Sequence, residues 1–298
     1  GLRQMKMKLD NLREEVSSEL EQKRDEFIDV EDNLAHARTE SMETQSRLES
    51  LRELDKSLEG FSEGVKALAD HDKGPFAPEE FLGLVSQLVE VEPGYERALA
   101  AAMGERLEWV VTSGSAASLK GLEFLSSKAK GRTGFISSDS TGAGTTADNA
   151  GLHPLYEKIN APAEVLEVVK ALLSGVYSAT TLDEARTLWR SSGRRYSFVT
   201  QNGEMLDASG AIVGGSGEMR AEMPLRRKRE MRELEVKSKE SRQRTERLAV
   251  ERQERLDEIR RLEERMEMTR SDTHRREIEI IEQERELHRI AMEQAREK

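Results

Sequence analysis

Residues that break helices occupy only the middle of this 298-residue chain. All six prolines (Pro75, Pro78, Pro93, Pro154, Pro162, Pro224) fall there, and no glycine occurs between Gly1 and Gly60 or after Gly217. Two long stretches rich in Glu, Arg, Lys, Leu and Gln therefore flank the centre, and these residues are strong helix formers. Both tryptophans, all four tyrosines and six of the seven phenylalanines lie between Phe61 and Phe198, so the core belongs to the centre. This division explains a composition of 35% charged, 36% hydrophobic and 4% aromatic residues. An ordinary globular domain carries about 25% charged residues; the excess must sit on elements that are mostly surface, and long exposed helices meet that need.

Apolar residues of the first arm recur at alternating three- and four-residue steps: Leu2, Met5, Leu9, Leu12, Val16, Leu20, then Phe27, Val30, Leu34, Ala37, then Leu48, Leu51 and Leu58. This is a heptad seam. The consecutive four-residue steps Leu12, Val16, Leu20 shift the frame once, as a stutter does. The second arm gives Met231, Leu234, Leu248, Ile259, Leu262, Met266, Ile280, Leu287 and Ile290, with Ser238, Ser241, Thr245, Arg252 and Arg255 at expected core positions. Helices of these lengths would run about 85 to 110 Å at ~1.5 Å per residue, more than so small a centre can cover. Residues 1–59 hold 10 basic and 16 acidic side chains, residues 60–222 hold 15 and 22, and residues 223–298 hold 22 and 20, giving −6, −7 and +2. The arms are thus of opposite net charge, and a chain that leaves along one arm and returns along the other predicts an intramolecular antiparallel coiled coil. Pairing of each arm with its copy in a second chain is the alternative.

The centre alternates between strand and helix patterns. Residues 81–91 (FLGLVSQLVEV) read as a strand ended by Pro93-Gly94, 95–107 as an amphipathic helix, 109–112 as a strand, 115–128 as a helix and 134–137 as a strand. A polar stretch, 138–150, has the chemistry of a loop. Beyond it come a helix at 163–173, a strand at 176–180 and a helix at 182–191, with Thr181 as N-cap and Glu184 at the box position. A hairpin follows, turned at Asn202-Gly203. The reading is an α/β domain of two lobes, about 75–138 and 155–218, within a central domain 60–222 between arms 1–59 and 223–298.

Other chemistry is scarce. With no cysteine, disulfides, thiolate zinc sites and cysteine nucleophiles are excluded. No apolar run approaches the about 18 residues of a membrane span, and Gly1-Leu2-Arg3-Gln4 opens no signal-peptide core. The missing initiator Met and mid-helix ends are those expected of an excised piece. Gly142-Ala143-Gly144-Thr145-Thr146-Ala147 fits the GxGxxA pattern but lies in a polar loop with no helix opening behind it. There is no GxxxxGK[ST] loop, and His36, His71, His153, His274 and His288 have no metal-ligand spacing. Basic groups remain: Arg226, Arg227, Lys228 and Arg229; Lys120, Lys128, Lys130 and Arg132; and Arg186, Arg190, Arg194 and Arg195.

The order coil, α/β centre, coil, with FLGLVSQLVEVEPGYERALAAAMGERLEWVVT opening the centre and NGEMLDASGAIVGGSGE closing it, resembles the hinge of structural maintenance of chromosomes (SMC) proteins, most closely the prokaryotic forms. The resemblance implies a two-lobed hinge that forms a homodimer and serves chromosome condensation and segregation. It implies that Gly203, Gly210, Gly214 and Gly215 line the dimer interface; supplying only turns and bulges is the alternative. It also implies DNA contact near the coil junction, where Arg226, Arg227, Lys228 and Arg229 lie, although the preceding Gly217-Glu218-Met219-Arg220-Ala221-Glu222 carries one base and two acids. This stretch would be no enzyme and hold no cofactor; ATP and Mg would belong to heads elsewhere in the parent, accessory subunits would bind elsewhere, and the setting would be cytoplasmic and nucleoid-associated without membrane contact. A coiled-coil tether whose centre binds another protein or ligand is the competing reading.

Overall fold

The computed structural model describes residues 2–70, 72–128, 131–139, 151–217 and 219–296. The chain divides into two units, residues 1–46 with 236–298, and residues 47–235. The cuts fall further out along both arms than the sequence boundaries at 59 and 223.

In the first unit, α1 (Leu2–Lys56) lies against α8 (Met223–Arg296). As residues on α1 climb through Lys6, Arg24, Glu31 and Glu40, their ionic partners on α8 fall through Glu277, Glu263, Arg252 and Lys237, at 2.9, 2.6, 2.9 and 3.0 Å. That ordering is an antiparallel coiled coil within one chain. Val16, Leu20, Val30, Leu34 and Ala37 are buried along the seam as their spacing predicts. Thr44 joins them, while in this unit the residues of α8 buried among those described are Ser241, Ile259, Thr269 and Thr273. The buried threonines satisfy their hydroxyls by donating one turn back: Thr44 to the Glu40 carbonyl at 2.8 Å, Thr269 to Arg265 at 2.9 Å, Thr273 to Thr269 at 2.8 Å. Such back-bonding lets a polar residue occupy a seam without an orphaned donor. Arg252, at a seam position, lays its guanidinium 5.2 Å from the centre of the Phe27 ring and keeps its charge on Glu31, burying its stem and leaving the head wet. Met5, Leu287 and Ile290, assigned to the seam by spacing, are exposed. For the last two the reason is register: Arg3 pairs with Glu284, so α8 beyond that point runs past the residues of α1 it packs on.

In the second unit, the first lobe holds a three-stranded sheet of order β1 (Phe81–Leu84), β3 (Val110–Thr112), β4 (Phe135–Ser137). β3 and β4 are parallel and joined by α5 (Ser115–Lys128). The second lobe holds five strands: β10 (Ile212–Val213), β9 (Met205–Leu206), β8 (Ser197–Thr200), β7 (Val176–Ala179), β5 (His153–Pro154). Here too the parallel pair, β7 and β8, is joined by a helix, α7 (Leu182–Ser191). A ribbon of β2 (Glu90–Val91) and β6 (Ile159–Asn160) pairs segments from the two lobes. The main core runs through both, from Val85, Leu99 and Leu107 to Leu155, α6 (Ala163–Leu172) and Val199, and takes in Leu225 of α8. Thr181 caps α7 as the sequence predicts, accepting the Glu184 N–H at 3.2 Å.

Two sequence readings are corrected. Residues 81–91 are not one strand: β1 ends at Leu84, a single helical turn, α3 (Val85–Leu88), follows, and β2 begins at Glu90. A short apolar run buried on all sides carries no period to tell strand from helix. The first lobe also begins earlier than residue 75. Ser62 caps α2 (Glu63–Leu68), whose Val65 and Leu68 pack with Phe61, Leu84, Val110 and Leu125 in a second core cluster. Leu58 enters that cluster from a left-handed backbone position, φ 51°, strain offset by burial of its side chain.

Candidate functional site

The closing segment is built from two tight turns and an edge. In the β8–β9 turn the Gly203 N–H donates to the Thr200 carbonyl at 2.9 Å, with φ +82°. The next turn is organised by Asp207, whose carboxylate accepts the Ser209 N–H at 2.7 Å and the Ala211 N–H at 3.1 Å. The Ser209 hydroxyl bond, foremost, and these N–H donors hold the Asp207 carboxyl below its ordinary range. β10 pairs only with β9 among the described residues and closes one edge of the sheet. Its Ile212 and Val213 are 56% and 64% exposed.

The four glycines assigned to this segment separate into two kinds. A side-chain carbon on Gly203 would come within 3.0 Å of Met219 and 3.2 Å of the Arg97 carbonyl, and one on Gly210, φ +91°, within 3.1 Å of the Trp189 ring. Both are explained by their own chain. The atoms nearest a side-chain carbon on Gly214 would be those of Glu204, the first at an ordinary 3.4 Å, and Gly215, φ +142°, meets nothing within 4 Å. Gly215 therefore has a backbone reason to be glycine, and Gly214 has none inside this chain. The two line one wall of a cavity of about 1150 Å³, with Trp109, Arg132 and Gly134 of the first lobe on its surface.

The basic run is largely committed to internal partners. Arg227 donates to the carbonyls of Leu54 and Glu59 at 3.1 Å each, bracing the chain where it leaves α1. Lys228 donates to the carbonyls of Gln87 and Val89; burial pushes its pKa down, opposed by Glu90. Arg229 binds Glu96 of α4 (Glu96–Met103) at 2.9 Å, and that hydrogen bond raises its pKa. Arg226 is the most open of the four, its side chain 57% exposed and 4.0 Å from Glu222.

The other basic groups do not converge. Lys120 pairs with Glu80 at 2.7 Å, Arg186 with Asp183 at 3.4 Å, and Arg194 lies over Trp189. Lys130, His71 and the GxGxxA stretch lie outside the described residues. Among the described residues no acidic or histidine cluster could hold a metal, and no helix is long and apolar enough to cross a membrane. Sequence reasoning missed Glu96 and Arg97, two charged residues on which the closing segment and the base of α8 depend; their spacing carries no signal because Arg229, the ionic partner of one, and Gly217 and Glu222, the partners of the other, lie over a hundred residues away.

Comparison with known proteins places these features. Residues 78–189 match the family described as SMC proteins flexible hinge domain. Chromosome partition protein Smc of Myxococcus xanthus is 31% identical over 70% of this chain and 18% of its own length. The Bacillus subtilis protein of the same name is 24% identical over 78% of this chain and 20% of its own. This chain thus spans about a fifth of the length of such relatives. Among solved structures, an asymmetric dimer of the Geobacillus stearothermophilus SMC hinge domain aligns at TM-score 0.71 and 23% identity, over 80% of this chain and 98% of that one.

Proposed function

The centre of this chain is an SMC flexible hinge domain, and from that premise we propose that the chain joins two copies of a chromosome partition protein through its closing segment. The observation that carries the reading is Gly214. It follows an exposed apolar edge strand, and nothing in its own chain requires it to lack a side chain. Edge strands recruit strands from other chains, and a glycine beside one lets a second backbone approach closely. The solved neighbour of like fold is itself described as a dimer, which supports the reading.

Within the parent, the hinge would link two long arms and serve chromosome condensation and segregation at the nucleoid. ATP and Mg, together with accessory subunits, belong on this reading to segments beyond this chain. DNA contact at the junction is a subordinate part of the proposal and centres on Arg226, whose side chain is the most exposed of the run.

Light scattering of the 298-residue chain tests the main claim. The expected mass at micromolar concentration is twice the 33.7 kDa of one chain, falling to one chain with Gly214→Val. A single-chain mass for the unaltered protein at all concentrations would leave the tether reading in its place.

A further inference from the structure

From Gly214 to Gly217 the closing segment is exposed and outside any strand. Arg97, on α4, reaches it from the first lobe. Its Nη2 donates to the Gly217 carbonyl at 3.2 Å, and its Nε lies 3.5 Å from the carboxylate of Glu222, a side chain only 10% exposed. The same residue backs the other end of the segment, because its carbonyl stands 3.2 Å from where a side chain on Gly203 would begin. Glu222 in turn faces Arg226 at 4.0 Å, so one carboxylate touches both the holder of the closing segment and the first turn of α8.

We propose that Arg97 is a positioning residue for the dimer interface, fixing the path of residues 214–217 before a second copy arrives. The inference rests on the reading of that segment as the interface. A glycine-rich segment loses more conformational freedom on ordering than any other, and ordering it in advance lowers the cost of association. The task suits arginine: Nη2 holds the Gly217 carbonyl while the same rigid charged plane stands 3.5 Å from the Glu222 carboxylate, which a lysine ammonium on a flexible stem does less well.

The test is Arg97→Met in the full chain, which keeps the aliphatic stem and removes every donor. The dimer dissociation constant should rise about tenfold, the scale of one lost charge-assisted hydrogen bond. Amide exchange at residues 214–217 should quicken while exchange in α4 and β8 and the thermal midpoint stay put, and Arg97→Lys should recover part of the loss. If Arg97→Met lowers the midpoint, Glu222→Gln carries the same readouts. An unchanged dissociation constant, or exchange that quickens throughout the unit, overturns the proposal. Gly214→Val separates the two claims. If it leaves the dimer intact, the interface reading fails; if it breaks the dimer and Arg97→Met does not, only the positioning role fails.

Discussion

Glu96 and Arg229, 133 positions apart in the chain, meet at 2.9 Å, and the Glu96 carboxylate also accepts the Gly94 N–H at 2.9 Å. Glu96 is 5% exposed and sits in the first turn of α4, where the helix dipole favours a negative charge. The pair ties the base of α8 to the first lobe, and its two ends differ: the carboxylate is buried, the guanidinium partly wet.

Removing the cation strands a buried carboxylate. Arg229→Ala should cost about 2 to 3 kcal/mol, at or below the lower end of the ~3 to 5 kcal/mol for a broken buried pair because Arg229 is partly solvated. Arg226→Ala, at a more open position, should stay within about 0.5 kcal/mol. Urea unfolding of both variants checks this, and equal losses would refute the distinction.

The adjacent glycines should respond differently to the same change. Gly215→Ala forces a side chain onto a backbone at φ +142° and should destabilise the single chain by about 1 to 3 kcal/mol. Gly214→Ala adds a methyl in ordinary contact and should leave chain stability within about 0.5 kcal/mol. Denaturation at concentrations below dimer dissociation reads the two apart.

The coil should be stable over a broad pH window. Hydrogen bonds from Lys23, Lys237 and Lys6 hold Glu26, Glu40 and Glu277 below their ordinary 4.5. A folded value below the unfolded one gives stability that is present above pH 4.5 and lost as pH falls through the folded values. Lys6 and Lys23 are raised above 10.5 by bonds to Glu277 and Glu26, so their contribution is present below pH 10.5 and lost as pH rises through the folded values. Helical circular dichroism should therefore melt at a near-constant temperature between these limits and earlier outside them. A midpoint that climbs on acidification to pH 3 would contradict the assignment.

Salt dependence distinguishes one DNA-contacting arginine from four. Each phosphate neutralised on duplex DNA contributes about −0.9 to the slope of log affinity against log salt. With Arg226 the most exposed of the four, contact through it alone should give a slope near −1, and Arg226→Glu should remove the binding. A slope near −3.6 would mean that the whole run leaves its internal partners for DNA.

Sequence alone determined the architecture: breaker-free arms, heptad spacing and arms of opposite charge specify an antiparallel coil around an α/β centre. These signals are local or periodic, so they survive without knowledge of distant contacts. The N-cap at Thr181 and the turn at Gly203 were legible for the same reason, their partners lying within four residues. Tertiary structure alone decided which glycines are crowded and how far each basic residue is exposed. Gly210 and Gly214 look alike in sequence, yet the Trp189 ring crowds one, while the nearest neighbour of the other, Glu204, stands at ordinary contact distance. Arg226, Arg227, Lys228 and Arg229 form one positive run, yet folding brings Leu54 to Arg227, Gln87 and Val89 to Lys228 and Glu96 to Arg229, and leaves Arg226 the most exposed. Burial and pairing are set by residues far away in the chain, and no local pattern encodes what those residues will be.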